Sequence, residues 1–379
     1  MLKTIPLGRN CGLQVSQLCL GTMNFGQPGR GHQGDWTIGL DDARPLFKAA
    51  IDRGLFYFDC ADQYGLGASE KVVGSLLREL LPRDQFVLAT KIAMPMGKGA
   101  NQGGLSRKHV IEAVNASLER LGVDYVDQLV IHRHPHGVPG YSDVPIEETL
   151  SALDEVVRAG KVLYLGGSSM FAWQFAELQL TAKMNGWTQF VSMQNHYNLV
   201  YREEEREMNP YCIKTGVALM PWSPLARGIL TGSYRGGFDG GSTARSQGRD
   251  RVRTEGLYRG DAVFSIAERV IEVAAKYGKS PAQIALAWLL GKPGITAPVV
   301  GVSKLTQLDE LVAATQITLE TEAQGARDGQ PWNKVSLAFD LPASEHFFGM
   351  GERFASLDHR GLDLYSWAEE GALGKGENT

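Results

Sequence analysis

The chain has 379 residues, 43% of them hydrophobic and 21% charged, with a formal net charge of -4 at pH 7. That length can bury a large core and exceeds one small module, so a barrel-sized domain followed by a shorter segment is the natural division. A slightly acidic balance gives no electrostatic reason for nucleic acid or an anionic membrane surface as a partner, which leaves small-molecule chemistry. The four cysteines, Cys11, Cys19, Cys60 and Cys212, show no CxxC spacing, so neither a zinc knuckle nor a disulfide framework is suggested, and reduced thiols of a cytoplasmic protein are expected. The N-terminal residues lack the apolar stretch of a signal peptide, and no run of about 18 apolar residues offers a membrane span.

Taken in order, two short apolar pieces around residues 8–12 predict a hairpin, and a strand at 18–20 ends at Gly21-Thr22-Met23. After a glycine-rich insertion at 27–39, Asp41 is placed as the N-cap of a helix whose Leu46, Phe47, Ala50 and Ile51 form one stripe, stopped by Gly54. The next apolar run ends in a carboxylate, Asp59, and Tyr64 follows it. The alternation then repeats, with helices at 67–81, 106–121, 146–157, 172–184 and 203–214 and strands at 85–90, 125–131, 162–165, 190–193 and 217–221. Residues 227–260 are rich in Gly and Arg without an apolar period. They read as a solvated loop or, equally, as a lid, with some of Arg235, Arg245, Arg249 and Arg251 reaching phosphates beneath it. A helix at 262–277, a second opening on Ser280-Pro281-Ala282-Gln283, a strand at 297–300 and a helix at 306–314 complete the pattern.

Eight strand-plus-helix units predict an α/β fold of the (β/α)8 TIM-barrel type with an N-terminal hairpin and a short C-terminal extension, since parallel strands need helical crossovers and a closed barrel has no edge. A doubly wound open sheet is the rival, but no GxGxxG follows any strand. At the C-terminal ends of the predicted strands stand, in turn, Gly21-Thr22, Asp59, Lys91, His132, Ser168, Gln194, Trp222-Ser223 and Ser303-Lys304. In a barrel those ends converge on the face that carries chemistry. Any one of them alone reads first as the start of a loop; an acid, a cation and a base on consecutive strands reads as a site.

A Tyr at its ordinary value of about 10 donates a proton poorly at neutral pH, and a neighbouring ammonium is expected to bring it down. Lys91 is placed to supply that charge, Asp59 to hold Lys91, and His132 to hydrogen-bond a substrate oxygen. The set suits delivery of a proton to a carbonyl oxygen while a hydride reaches the carbon. The run His132-Arg133-His134-Pro135-His136 admits metal chelation as an alternative. That reading is disfavoured because the later strand ends offer Ser, Gln, Trp and Lys, with His196 the only nearby ligand, so no metal is expected.

Three ordered blocks, Phe58-Asp59-Cys60-Ala61-Asp62-Gln63-Tyr64-Gly65, Ala89-Thr90-Lys91 and Asp127-Gln128-Leu129-Val130-Ile131-His132, resemble the aldo-keto reductase family. Further matches are Gly160-Lys161-Val162-Leu163-Tyr164-Leu165-Gly166, Pro221-Trp222-Ser223-Pro224-Leu225-Ala226-Arg227-Gly228 and Val300-Gly301-Val302-Ser303-Lys304, so that the resemblance covers about residues 2–317. It implies a barrel that binds NADPH extended, with Tyr64 as general acid, Asp59 and Lys91 as its tuning pair and His132 orienting the carbonyl. Ser168 and Gln194 would hold the nicotinamide carboxamide and Trp222 would stack on the ring. Ser223, Pro224, Leu225 and Arg227 would meet the pyrophosphate, and Gly301, Ser303, Lys304, Gln307 and Glu310 the adenosine end, with Gly21, Thr22 and Met23 also lining the cofactor. Lys304 beside a 2′-phosphate would favour NADPH over NADH. Two departures lie inside the match: Ser169 and Leu311 stand where Asn is common, and Leu311 cannot hydrogen-bond adenine.

After residue 320 the chain changes character. A polar linker precedes Val335-Ser336-Leu337-Ala338-Phe339, which alternates like a strand, and His346-Phe347-Phe348-Gly349-Met350-Gly351-Glu352-Arg353-Phe354 resembles part of the N-terminal β-sandwich of family 31 glycoside hydrolases. Residues 1–320 are therefore assigned to the barrel and 321–379 to a linker and truncated tail, expected to be poorly ordered or loosely docked and without glycosidase activity. The expected function is NADPH-dependent reduction of an aldehyde or ketone, sugar-derived carbonyls included. The alternative is a non-catalytic NADPH-binding regulatory subunit on the same barrel. Neither nucleic acid nor membrane is expected as a partner.

Overall fold

In a β/α barrel the strands' inward residues must fill the middle and their outward residues must meet helices, and the alternation along these strands does both. The computed structural model describes residues 2–30, 36–138, 140–141, 143–248, 250–260 and 262–319. The hairpin is β1 (Thr4–Pro6) against β2 (Gln14–Ser16), antiparallel, with Ile5 opposite Val15. Eight parallel strands follow: β3 (Cys19–Gly21), β4 (Tyr57–Asp59), β5 (Val87–Ile92), β6 (Val126–Ile131), β7 (Val162–Ser168), β8 (Phe190–Gln194), β9 (Ala218–Leu219) and β10 (Val299–Val300). From β3 to β9 each pairs with the next in chain order, and β10 pairs with β3. Bridges from Leu219 to Ile295 and from Trp222 to Val299 join the last two strands and close the ring.

Successive residues split between two cores. Cys19, Tyr57, Val87 and Ala89 lie with Leu7, Val15, Ala218, Met220 and Ala297 inside the barrel. Their neighbours Leu20, Phe58 and Leu88 pack outward against the helices. The hairpin turn presses on the N-terminal end: Arg9 N–H donates to Gly216 O at 2.8 Å, and a Cβ on Gly8 would stand 2.7 Å from that oxygen.

Midway up, the filling turns polar. Tyr57 Oη donates to Gln128 Oε1 at 2.5 Å, and Gln128 Nε2 donates to Ser192 Oγ at 2.6 Å, so buried polar groups from β4, β6 and β8 satisfy one another. Gly166 on β7 makes room: a Cβ there would come within 2.7 Å of Ser192 Oγ and 3.1 Å of Gln128 Nε2. Gly166→Ala is expected to push this chain apart and destabilise the fold by about 1–3 kcal/mol, read as a lowered denaturant midpoint. An unchanged midpoint would show that the layer is slack.

The helices around the ring are α1 (Leu40–Asp52), α2 (Ala68–Leu80), α3 (Arg107–Leu121), α4 (Ile146–Arg158), α5 (Ala172–Met184), α6 (Met208–Thr215), α7 (Ala244–Gln247), α8 (Asp250–Leu257), α9 (Ala262–Tyr277), α10 (Pro281–Leu290) and α11 (Leu305–Ala314). Ser106 caps α3 by accepting from His109 N, Gly122 ends it in the left-handed region, and Ser280 caps α10 by accepting from Gln283 N. The helices α2 and α3 cross closely because Gly74 carries no side chain; a Cβ there would overlap Leu121 O at 2.0 Å.

Three sequence expectations change. Asp41 is not the cap of α1: Gly39 holds that position and Asp41 sits in the first turn, ion-paired with Arg44 at 2.8 Å, where an acid still favours the helix dipole. The helix expected at 203–214 is broken into a 3-10 turn, Glu203–Glu205, and α6. Residues 227–260 are not simply a solvated loop, since α7 and α8 lie within them and Ile229, Leu230, Tyr234, Leu257 and Tyr258 are buried in a second core with α9 and α10. Of the arginines assigned to a lid, Arg251 is ion-paired with Asp239 and Glu255, Arg235 is exposed, and Arg249 and the Arg245 side chain lie outside the described residues. The strand at 335–339 and the glycosidase-like stretch also fall outside them. No helix among the described residues is long and apolar enough to cross a membrane.

Candidate active site

Asp59 is the last residue of β4, and the chain then turns so that Tyr64 comes back over the strand ends. The turn is held by Tyr64 N–H to Ala61 O at 3.2 Å and Ser69 N–H to Tyr64 O at 3.1 Å. Lys91, near the end of β5, is fully buried, and its ammonium meets Asp59 Oδ2 at 2.5 Å, Cys60 O at 2.9 Å and Tyr64 Oη at 3.3 Å. An ammonium has three protons, and these three acceptors use them all. The other Asp59 oxygen, Oδ1, accepts from Gln194 Nε2 at 2.9 Å. His132 follows β6, its N–H donating to Ile92 O at 2.9 Å, and its ring stands edge-on to Tyr64 with centroids 5.9 Å apart. Five residues expected at one rim, Asp59, Tyr64, Lys91, His132 and Gln194, are thus brought together.

The electrostatics correct one expectation. Burial pushes the Tyr64 phenol above its ordinary value; the Lys91 charge pulls it down without cancelling that effect, because Asp59 opposes it. Burial also disfavours the Lys91 ammonium, but Asp59 and Tyr64 outweigh it and raise Lys91 above its ordinary value. At neutral pH the phenol is protonated and the lysine charged.

The other predicted residues occupy the same end of the barrel. Gly21 pairs with Asp59 in the sheet, Thr22 Oγ1 donates to Asp59 O at 2.9 Å, and Met23 is half-buried beside them. Ser168 is buried and in register with Gln194. Trp222 is half-buried, with Nε1 donating to Ser169 Oγ at 2.9 Å, so the Ser that replaces the common Asn anchors the indole. Ser169, Ser223, Ala226 and Arg227 have φ between 48° and 56°, a strained region for side-chain-bearing residues that gathers where the chain must expose its backbone. Pro224 is buried and Leu225 packs on the main core, whereas Arg227 is turned inward, ion-paired with Asp250 and donating Nε to Thr254 Oγ1 at 3.1 Å. Gly301, Ser303 and Lys304 are exposed after β10, where Gln307 Oε1 accepts from Ser303 N at 2.8 Å and Lys304 N at 3.2 Å. Glu310 O accepts from Gln283 Nε2 at 3.4 Å, and Leu311 is buried.

The sequence reading missed what backs Trp222. His196 lies flat between two rings, 4.1 Å and 9° from Trp222 and 4.2 Å and 10° from Tyr201. Its Nε2 meets Tyr258 Oη at 2.7 Å and Asn198 Nδ2 at 3.3 Å. Burial, then the charges of Arg227 and Arg133, hold this imidazole well below its ordinary value, so it is neutral packing. His134 is likewise kept neutral, lowered to about 4 by burial and by His136. No group of three His, Cys, Asp or Glu side chains arranged for a metal occurs among the described residues.

A closed β/α barrel whose strand ends gather a Tyr, a buried Lys–Asp pair and a His defines an oxidoreductase that acts on small carbonyl compounds. The chain belongs to the aldo/keto reductase family, whose model matches residues 17–328. It is similar to a Schizosaccharomyces pombe protein provisionally named an aryl-alcohol dehydrogenase, 43% identical over 339 positions that span 83% of this chain and 91% of the relative. It is also similar to versiconal hemiacetal acetate reductase of Aspergillus parasiticus, 40% identical over 335 positions, 82% of this chain and 92% of that protein. An aldo-keto reductase of Fusarium vanettenii is 42% identical over 330 positions, 80% of this chain and 85% of the relative. This chain is therefore an enzyme of the carbonyl-reducing kind, served by a nicotinamide cofactor.

Proposed function

We propose that the chain reduces an aldehyde or ketone with NADPH, Tyr64 giving the proton, and that the carbonyl sits on or beside an aromatic ring. The observation that carries the reading is the Asp59–Lys91–Tyr64 chain of contacts at 2.5 and 3.3 Å beside His132. The aromatic preference draws on the name of the Schizosaccharomyces pombe relative. The intact set of four side chains speaks against a non-catalytic nucleotide-binding role.

The residues fit the cofactor. Half-buried Trp222, backed by His196 and pinned by Ser169, offers ring surface to a flat heterocycle; buried Ser168 and Gln194 offer polar atoms to a carboxamide. Exposed Ser303 and Lys304 suit a phosphate ester at the other end. When bound, the nicotinamide supplies a hydride to the carbonyl carbon. His132 would orient the carbonyl oxygen, and Tyr64 would donate its phenolic proton to that oxygen as charge develops there. Lys91 would stabilise the phenolate left behind, and Asp59, gripped by Gln194, would keep the ammonium in place.

Lys304 tests the coenzyme assignment. Lys304→Met is expected to weaken NADPH binding about tenfold or more and to leave NADH nearly untouched, read by quenching of tryptophan fluorescence. Equal loss for both coenzymes, or none, would remove Lys304 from the 2′-phosphate.

A further inference from the structure

The turn that carries Tyr64 also carries Asp62, a carboxyl the scheme above leaves without a task. Asp62 is fully buried, its N–H donates to Lys91 O at 3.0 Å, and its Oδ1 accepts from Gln63 N at 2.6 Å. Its Oδ2 is buried with no hydrogen-bond partner among the described residues. Asp59, Cys60 and Tyr64 share its strand end and turn, and the charges that act on it are Glu70 from α2, Arg120 from α3 and Lys91 from β5.

Both cations in that cluster are committed elsewhere. The three protons of Lys91 go to Asp59, Cys60 O and Tyr64. Arg120 donates Nε to Glu70 Oε2 at 2.6 Å and Nη2 to Ser117 Oγ at 3.0 Å, while Glu70 Oε1 also accepts from Thr90 Oγ1 at 2.6 Å. Two cations are thus matched by two carboxylates, and Asp62 is the third acid. Ionised, it would be a buried charge without a partner, competing with Tyr64 for Lys91. Burial first, and Glu70 next, push its carboxyl well above the ordinary range, against the pull of Arg120, the Gln63 N–H and Lys91.

We propose that Asp62 is a positioning residue that works as the neutral acid. Its backbone N–H fastens the turn bearing Tyr64 to the end of β5, its Oδ1 holds the next N–H of that turn, and by staying uncharged it leaves the third proton of Lys91 on the phenol oxygen. Ionisation at alkaline pH draws Lys91 toward Asp62 and uncouples it from Tyr64. The inference rests on reading Tyr64 as the general acid.

The test compares kcat against pH, with NADPH binding alongside, for the full chain, Asp62→Ala and Asp62→Asn. Asp62→Ala keeps the backbone bond to Lys91 O but removes the Oδ1 acceptor of Gln63 N–H within the turn, and is expected to lower kcat about tenfold or more with NADPH affinity kept within about threefold. Asp62→Asn, isosteric and permanently neutral, restores most of that loss and carries the alkaline fall of kcat to higher pH than in the natural chain. An Asn variant as slow as the Ala variant, or an alkaline fall that does not move, overturns the proposal. If the Ala variant does not fold, the displacement in Asp62→Asn decides alone. Should the natural chain turn over no carbonyl, the reductase reading itself fails. Asp62 is then tested by the ultraviolet titration of Tyr64, identified against Tyr64→Phe, whose midpoint must be lower in Asp62→Asn than in the natural chain.

Discussion

Tyr64→Phe is expected to lower kcat for carbonyl reduction by about 10²–10⁴-fold while leaving NADPH affinity within about twofold, because it deletes one oxygen and keeps the ring. The oxygen it removes is the acceptor for Lys91 at 3.3 Å, and the ring stays 4.9 Å from that ammonium. The pH dependence has a definite sign. Burial raises the phenol above its ordinary value of about 10, so reduction runs across the neutral range and falls only on the alkaline side, first as Asp62 ionises and draws Lys91 away and then as the phenol loses the proton to be donated. Steady-state rates with fluorescence-measured coenzyme binding check this. A Phe variant that keeps most of its turnover would take Tyr64 out of the chemistry.

Lys91→Met should be costly twice over. It removes the charge that stabilises the departing phenolate, so kcat is expected to drop by at least about 10²-fold, as for loss of an electrostatic stabiliser in a water-excluded site. It also strands Asp59, which is 1% exposed and keeps only the Gln194 donor, at a cost of about 3–5 kcal/mol in folding. Adding Asp59→Asn should return part of the stability and none of the activity, since the stranded charge is gone and the cation is still missing. Denaturant midpoints and rates on the two variants separate the effects. Full recovery of rate in the double variant would mean that Lys91 serves only to neutralise Asp59.

The barrel and its catalytic rim were legible because each rests on local pattern. Strands of β/α units are apolar runs that end abruptly in a polar residue, and Asp59, Lys91, His132, Ser168 and Gln194 mark those ends whatever surrounds them. Family blocks then fixed their order. The parts that were not legible depend on partners far along the chain. His196 looked like a stray metal ligand since its tie to Tyr258 is 62 residues away and its stacking partner Trp222 lies on another strand end. Residues 227–260 hid their core role because Ile229, Tyr234, Leu257 and Tyr258 are spread among Gly and Arg over short helices with no period to read. Arg227 shows the same dependence on distant partners: its ion pair with Asp250 on α8 could not be read from its own sequence block. The direction of the Tyr64 shift was misjudged for a simpler reason. Charge is visible in a sequence, and the depth of burial that outweighs it is not.

The central claim, proton delivery by Tyr64 to a carbonyl while NADPH gives up hydride, is tested most directly by following the nicotinamide absorbance when the full chain meets a panel of aromatic aldehydes and ketones, with Tyr64→Phe beside it. The account predicts NADPH consumption matched by alcohol formation in the natural chain, and coenzyme binding without consumption in the variant. Coenzyme binding without consumption in both, across the whole panel, would contradict it.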